Sequence, residues 1–282
     1  MNNKFNQVVA LTVFTAFAHM SSAEDYTSEF SASYLTGDID AEGQSSDEVQ
    51  VGISQQVFFS EVDTSVGPLG KAAFVSRASS YTLGYSVIDG EADTDIANVA
   101  IDWRGNDMGL TLGLDYSFTD TTSGGAISDD FAASIGFYVA ETTEISLQYT
   151  QEKSKQVEVR EKALALTISH VGTGDIGFAI EGGLSMTKIF LPEDNNNFFS
   201  SVDDVISNGE FGLAVSAALY PTPNFGMGAG FDVSLAEEDN DSIFAFAEWF
   251  FKPNLKAAVT YSVSDQDNVD TNAFILDVSF RL

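Results

Sequence analysis

The residue types that carry covalent chemistry are scarce in this chain. It has no cysteine and two histidines, which excludes disulfides and thiolate metal sites. His19 lies in an N-terminal leader, so imidazole chemistry rests on His170. His170 shares its parity with Leu164, Leu166 and Ile168, a greasy face on which no nucleophile or water is at hand, so no catalytic residue is assigned. What the chain has in quantity is carboxylate: 42 Asp and Glu against 12 Lys and Arg, a formal charge of −30. That balance excludes nucleic-acid binding, which needs a basic footprint.

The charged residues do not fall at random. Glu29, Glu48, Asp102, Arg104, Asp115, Glu144, Glu181, Asp232, Glu248, Lys256, Asp277 and Arg281 occupy one parity of alternating segments, in company with Gly, Ala, Ser and Thr, while the other parity is apolar. If the apolar parity faces lipid, these residues line an interior. An interior of small and acidic residues stays wet, and a ring of carboxylates favours a permeating cation. Two further patterns carry less. GMGAG (226–230) has the look of a phosphate-cradling loop, but its residues alternate within a strand and no helix follows. EEDND (237–241) and DQDNVD (265–270) could gather divalent cations or bridge lipopolysaccharide through them, yet neither has EF-hand spacing, and solvated loops are the expectation. No metal ligand set and no cofactor are expected.

The elements that position these residues read as strands. Residues 1–23 hold one cation (Lys4), an apolar stretch and the small residues Ser21 and Ala23 at the −3 and −1 positions of a cut, which is the pattern of a cleaved signal peptide. Residues 24–282 then form a single domain of charge −31, with no apolar run long enough for a membrane helix. Segments of about ten residues alternate with period two, clearest in GLTLGLDYSF (109–118), FAASIGFYV (131–139) and DIGFAIEGGLSM (175–186). Long acidic connections alternate with tight turns such as AET (140–142), PTPN (221–224) and KPN (252–254). This asymmetry belongs to barrels with short periplasmic turns and long external loops. The expected fold is an all-β transmembrane antiparallel up-and-down barrel of about 14 strands, with 12 or 16 as alternatives. Trp103, Tyr220, Phe225, Trp249, Phe251 and Phe280 fall near the periplasmic ends of their strands, where an interfacial aromatic girdle belongs.

Eight-stranded barrels can fill their interiors with side chains, and width grows with strand number. Fourteen strands walled by small residues should therefore enclose water. Two connections complicate this. IFLPEDNNNFFSSVDDVIS (189–207) carries helical spacing at Val202, Val205 and Ile206 and is a candidate either for an inward-folding constriction or for a self-packed external flap. In the basic-rich connection, Lys153, Lys155, Arg160 and Lys162 are expected to be balanced by Glu152, Glu158 and Glu161.

The segment VFFSEVDTSVGPLGKAAFVSRASS (57–80) is too long for a periplasmic turn and predicts a short helix after Gly67-Pro68. Its VDTS-GPL-AAF-RAS pattern, together with the leader and the alternating strands to the end, resembles the general bacterial porins of gammaproteobacterial outer membranes. The resemblance implies a diffusion pore in the outer membrane of a Gram-negative bacterium, in contact with lipid and lipopolysaccharide and assembled by the barrel assembly machinery through its C-terminal strand. Such barrels usually end in an aromatic residue; this chain ends in Leu282, with Phe280 two positions earlier. The function expected is a water-filled channel for small hydrophilic solutes, preferring cations. The alternative is a closed or plugged barrel whose acidic loops bind a partner or divalent cations.

Overall fold

The computed structural model describes residues 25–41, 44–89, 93–105, 109–121, 127–154, 160–190, 205–206, 209–235, 240–266 and 269–282. Its strands are β1 (Tyr26–Ala41), β2 (Gln44–Val62), β3 (Ser80–Asp89), β4 (Thr94–Arg104), β5 (Leu110–Thr121), β6 (Ile127–Ala140) and β7 (Thr143–Ser154), followed by β8 (Arg160–Thr173), β9 (Gly177–Phe190), β10 (Glu210–Thr222), β11 (Phe225–Ser234), β12 (Asn240–Lys252), β13 (Leu255–Gln266) and β14 (Val269–Arg281). Each pairs with its sequence neighbours, and β1 pairs with β14, so the fourteen strands close into one antiparallel barrel. Closure satisfies every edge, which a sheet in lipid requires. The seam runs from Ala41↔Val269 to Glu29↔Arg281, and beyond it Leu282 donates its N–H to the Ser28 carbonyl and accepts from Thr27.

The strands outrun the apolar alternation. Most of the stretch 37–47, expected as a loop, belongs to β1 and β2, and 151–154 and 264–266 likewise continue β7 and β13. The reason is that alternation reports only the lipid-facing band, whereas the backbone ladder needs no apolar partner and continues into water.

Register fixes the faces. Leu114, Leu184 and Ile243 lie on the outward parity and are 54, 53 and 65% exposed in the isolated chain, as lipid-facing groups must be. The buried apolar residues of the periplasmic base form two clusters. One is Tyr26, Phe58, Val62, Ala72 and Ala78; the other is Val171, Ala179 and Tyr220, packed with Phe74 and Val75. Both include or contact the connection between β2 and β3, which carries a 3-10 turn (Leu69–Lys71) and one helical turn, α1 (Ala72–Val75). The predicted helix is present, and it lies inside the barrel.

Candidate functional site

The connection 63–79 turns at Gly67, whose positive φ of 77° no side chain adopts readily. It then crosses the periplasmic mouth. The Leu69 N–H donates to the Pro223 carbonyl in the β10–β11 turn at 3.1 Å, while the Leu69 carbonyl accepts from Arg281 Nη1 of β14, also at 3.1 Å. Gly70 lies against the Glu248 carboxylate on β12, a contact that leaves no room for a Cβ, and Pro68 abuts Gly177 of β9. On the other side the Tyr138 hydroxyl of β6 donates to the Phe74 carbonyl, and the Arg104 guanidinium of β4 lies 5.4 Å from the Phe74 ring. Strands on nearly opposite walls thus hold one short helix between them.

Arg77 ends α1 in a left-handed conformation (φ 52°). Ala78 donates back to Ala73 and Arg77 to Phe74, the Schellman closure in which glycine is the usual residue. Arginine there costs about 1 kcal/mol of backbone strain. The side chain offsets it by donating to the carbonyls of Ala140 and Glu141 and lying 4.2 Å from the Tyr138 ring. A cleft of about 380 Å³ opens beside it, lined by residues that include Asp63, Ser76, Glu141 and Thr173.

The predicted interior residues divide into two sets. At the base Arg281 Nε meets Glu29 Oε2 at 2.7 Å and Lys256 Nζ lies 3.6 Å from Glu29 Oε1, with the Arg281 guanidinium between the rings of Tyr26 and Phe250 at 4.4 and 4.6 Å. Arg104 donates to the Tyr138 hydroxyl at 2.9 Å, and Glu144 accepts from Thr111 at 2.6 Å. These residues and Glu248 were expected along an open channel. Arg281, Arg104 and Glu248 contact the inward segment, because they stand toward the periplasmic ends of β14, β4 and β12, where that segment lies. Asp277 follows Glu29 up the seam, opposite Ser33 and Ala258, and Asp102 lies beside Gly113.

Higher in the lumen the acids stand apart from these cations. Asp115, Asp130, Glu152 and Glu161 line one cavity of about 180 Å³ with Phe131, Ala132, Thr150 and Gln151. Glu181 accepts from Ser169 at 2.9 Å. Glu181, Gln148 and Asp232 face inward and are nonetheless exposed, so the upper lumen is water-accessible. Glu48, opposite Gly37, faces the same space. The sequence reading missed Asp130, Glu152 and Glu161. Extending the parity of Ser134 and Gly136 would have placed Asp130, but reading 151–159 as a loop concealed Glu152.

The expectation of few bulky groups inside is corrected. Phe58, Tyr220, Phe244, Phe246 and Phe250 have inward parity. The glycines of GMGAG explain the fit: Gly226 lies under the Tyr220 ring, Gly228 under Phe246 and Gly230 under Phe244. A glycine covered by a cross-strand ring is a packing device, and the phosphate reading has no helix to support it.

The girdle is corrected in part. Trp103, Trp249 and Phe251 are outward and exposed, and the last two stack at 5.0 Å. Phe225 is outward beside Trp249. Tyr220 points inward and is 2% exposed, because its parity on β10 is that of Ala218 and Ser216, and Phe280, although outward in parity, is 3% exposed. Phe59, unforeseen, is outward and pairs with Tyr81 at 6.1 Å. His170 faces outward, bonded through Nδ1 to the Thr143 hydroxyl and packed on Phe178. The candidate constriction at 189–207 lies largely outside the described residues, as does most of EEDND. Among the described residues no group of three or more His, Asp or Glu is disposed to hold a metal ion.

A closed fourteen-stranded wall with a lipid-facing apolar band and a wet, acid-lined interior defines the class: a porin-type barrel of the Gram-negative outer membrane. The chain belongs to the family described as "Putative general bacterial porin", whose model matches residues 4–282. Among solved structures it is similar to the outer membrane protein Omp33 of Acinetobacter baumannii, at 18% identity over 92% of this chain and 99% of that one, with a TM-score of 0.61. It is also similar to a bacterial polysaccharide outer membrane secretin, at 10% identity over 91% and 99% of the two chains, with a TM-score of 0.52. At these identities the likeness speaks for the fold alone. No curated protein matches the sequence.

Proposed function

We propose that residues 24–282, after removal of the leader, form a passive channel for small hydrophilic solutes that prefers cations, has no enzymatic role, and has its conductance set by segment 63–79. The observation that carries this reading is the upper lumen, where Glu181, Gln148 and Asp232 face inward yet stay exposed and four carboxylates share one cavity. Water and carboxylates together lower the cost of a cation in the passage and raise it for an anion. His170 stands on the outward, lipid-facing side of β8, bonded to the Thr143 hydroxyl and packed on Phe178, away from the wet lumen, which supports a channel over a hydrolase. Phe280 and the rest of β14 are the segment that the barrel assembly machinery would receive.

The test is single-channel recording of the refolded mature chain in a planar bilayer across a KCl gradient. The expected result is a cation-selective reversal potential that moves toward zero in D115N/D130N/E181Q. An unchanged potential in that variant, or anion selectivity in the wild type, refutes the preference. The seated segment favours one second reading, a closed barrel that presents acidic loops to a partner. Insertion without conductance, both in the wild type and after the segment is loosened, would select it.

A further inference from the structure

The inward rings over GMGAG belong to a larger surface. Gly228, Phe246, Thr260, Ile275 and Leu35 are successive cross-strand partners on β11, β12, β13, β14 and β1, so Phe246, Ile275 and Leu35 share one rung of the inner wall. Phe244 stands one rung higher, opposite Gly230, and Asp232 lies diagonally above it on β11, opposite Ser242. A rung is about 7 Å along the strands and neighbouring strands are about 4.8 Å apart, which puts the Asp232 carboxylate within reach of the Phe244 ring.

This surface is open on its inner side. Leu35, Phe244, Phe246 and Ile275 are half-buried, and Asp232 is exposed. A glycine of β11 occupies one face of each ring. None of the four apolar residues belongs to the buried clusters at the base, and Asp232 forms no ion pair among the described residues. Apolar groups held against a wet lumen do nothing for an inorganic ion, so their presence asks for a solute with apolar surface of its own.

Strand order decides what that solute meets on the other side. β12 stands seven strands from β5 in either direction around the closed barrel, as β1 does from β8. The apolar wall of β12–β1 therefore faces the wall of β5–β8, where Asp115, Asp130, Glu152 and Glu161 line the acidic cavity. Both walls disfavour an anion, whatever its apolar content.

We infer that the inner wall of β11–β1 is a binding site for organic cations that carry an apolar body, the arylalkylammonium class. The ammonium sits between the Asp232 carboxylate and the face of Phe244, where charge and ring attract it together. The apolar body lies one rung lower on Phe246, Ile275 and Leu35 and removes them from water. The inference rests on the reading of the barrel as a cation-preferring channel and extends its solutes to amphipathic cations.

The test is block of the KCl current through single channels of the refolded mature chain by 4-phenylbutylammonium, by butylammonium, which lacks the ring, and by 4-phenylbutanol, which lacks the charge. A four-carbon chain bridges about one rung. The phenylbutylammonium ion should block at concentrations about tenfold or more below those of the other two. D232N removes the charge and L35Q/I275Q makes the seat of the body polar; each should weaken that block about tenfold. Conductance and reversal potential without blocker report the channel reading by themselves: a wild type that does not conduct, or prefers anions, ends that reading and this inference with it. A cation-selective wild type blocked equally by phenylbutylammonium and butylammonium, or equally by phenylbutanol, overturns this inference alone, and so does unaltered block in either variant.

Discussion

Replacing Arg281 by Met should unseat the inward segment without opening the barrel wall. Arg281 is 5% exposed and serves two masters: its Nε bonds Glu29 at 2.7 Å across the β1–β14 seam, and its Nη1 bonds the Leu69 carbonyl at 3.1 Å. Met keeps the stem packed between Tyr26 and Phe250 and removes both bonds. Breaking one partner out of a buried ion pair costs about 3–5 kcal/mol, moderated here because Lys256 remains 3.6 Å from Glu29. Only the hydrogen bond from a charged donor to Leu69 belongs to the segment itself, about 1.5–3 kcal/mol. At 1.4 kcal/mol per tenfold, the seated-to-unseated ratio should fall roughly 10- to 150-fold. Single-channel recording reads this directly as a larger fraction of time in the conducting state. Arg281→Lys should lie between the two, because one ammonium keeps the charge but lacks the fork that reaches both acceptors. A lower unfolding midpoint with an unchanged open fraction would show that Arg281 supports the seam alone and would refute the reasoning.

Three further outcomes follow from the same geometry. Among the described residues there is no cysteine, and Gly70 touches Glu248, so oxidised G70C/E248C should lock the segment and abolish openings that reduction restores; conductance indifferent to redox state counts against a moving segment. Gly230→Val would drive a Cβ into the Phe244 ring and to within 2.8 Å of Ser216 Cβ, costing about 1–3 kcal/mol by overpacking, whereas Gly182→Ala meets nothing within 4 Å; equal urea midpoints for the two would refute the ring-over-glycine account. The Asp63 carboxylate at the entry to the segment accepts the Ser65 N–H at 2.8 Å, and the Ser65 hydrogen bonds hold its pKa below the ordinary 3.8. A depressed carboxyl stabilises the folded turn above the unfolded value and loses that contribution as pH falls through the folded one. The contribution of Asp63 to seating the segment should therefore be constant from pH 8 to about 4 and fade only below it, so D63N should raise the open fraction at pH 7 and leave it unchanged at pH 3; equal open fractions for D63N and wild type at pH 7 would refute this role.

The lipid-facing side of this fold was legible because lipid imposes one rule on every strand, and Leu110 to Phe118 or Phe274 to Leu282 obey it without context. The base was not, because the rule there is local. Tyr220 looked like a girdle residue by its position near a strand end, yet its parity is that of Ser216 and Ala218, and it is needed inside to cover Gly226 and meet Phe74 and Val75. Tyr26 also escapes simple counting: the register between β1 and β2 shifts between Tyr26 and Ser28, which leaves its ring against Phe58 and the Arg281 guanidinium. A shift of one residue exchanges the faces of everything beyond it. The VDTS-GPL-AAF-RAS stretch announced a helix but not its location, since the partners of Leu69, Gly70, Phe74 and Arg77 stand far away in sequence, on β4, β6, β12 and β14 and in the turns after β6 and β10.

The seat of the inward segment cannot precede barrel closure. Its anchor, Arg281, belongs to the last strand, and the carboxylate that orients the guanidinium, Glu29, belongs to the first; the two are neighbours only through the β1–β14 pairing. Before the seam forms, the Leu69 carbonyl lacks its donor, and the Arg281 guanidinium lacks the Tyr26 ring that lies beside it. The clamp at the other end, where Tyr138 meets Phe74 and Arg77 reaches Ala140 and Glu141, needs only β2 through β7. The segment is thus held at one end by contacts local to the first half of the chain and at the other by contacts that exist only in the closed cylinder. Weakening the seam should loosen the Leu69 end first, while the Phe74 end remains docked. This ordering is why Arg281, rather than Arg77, is the residue whose loss should open the base.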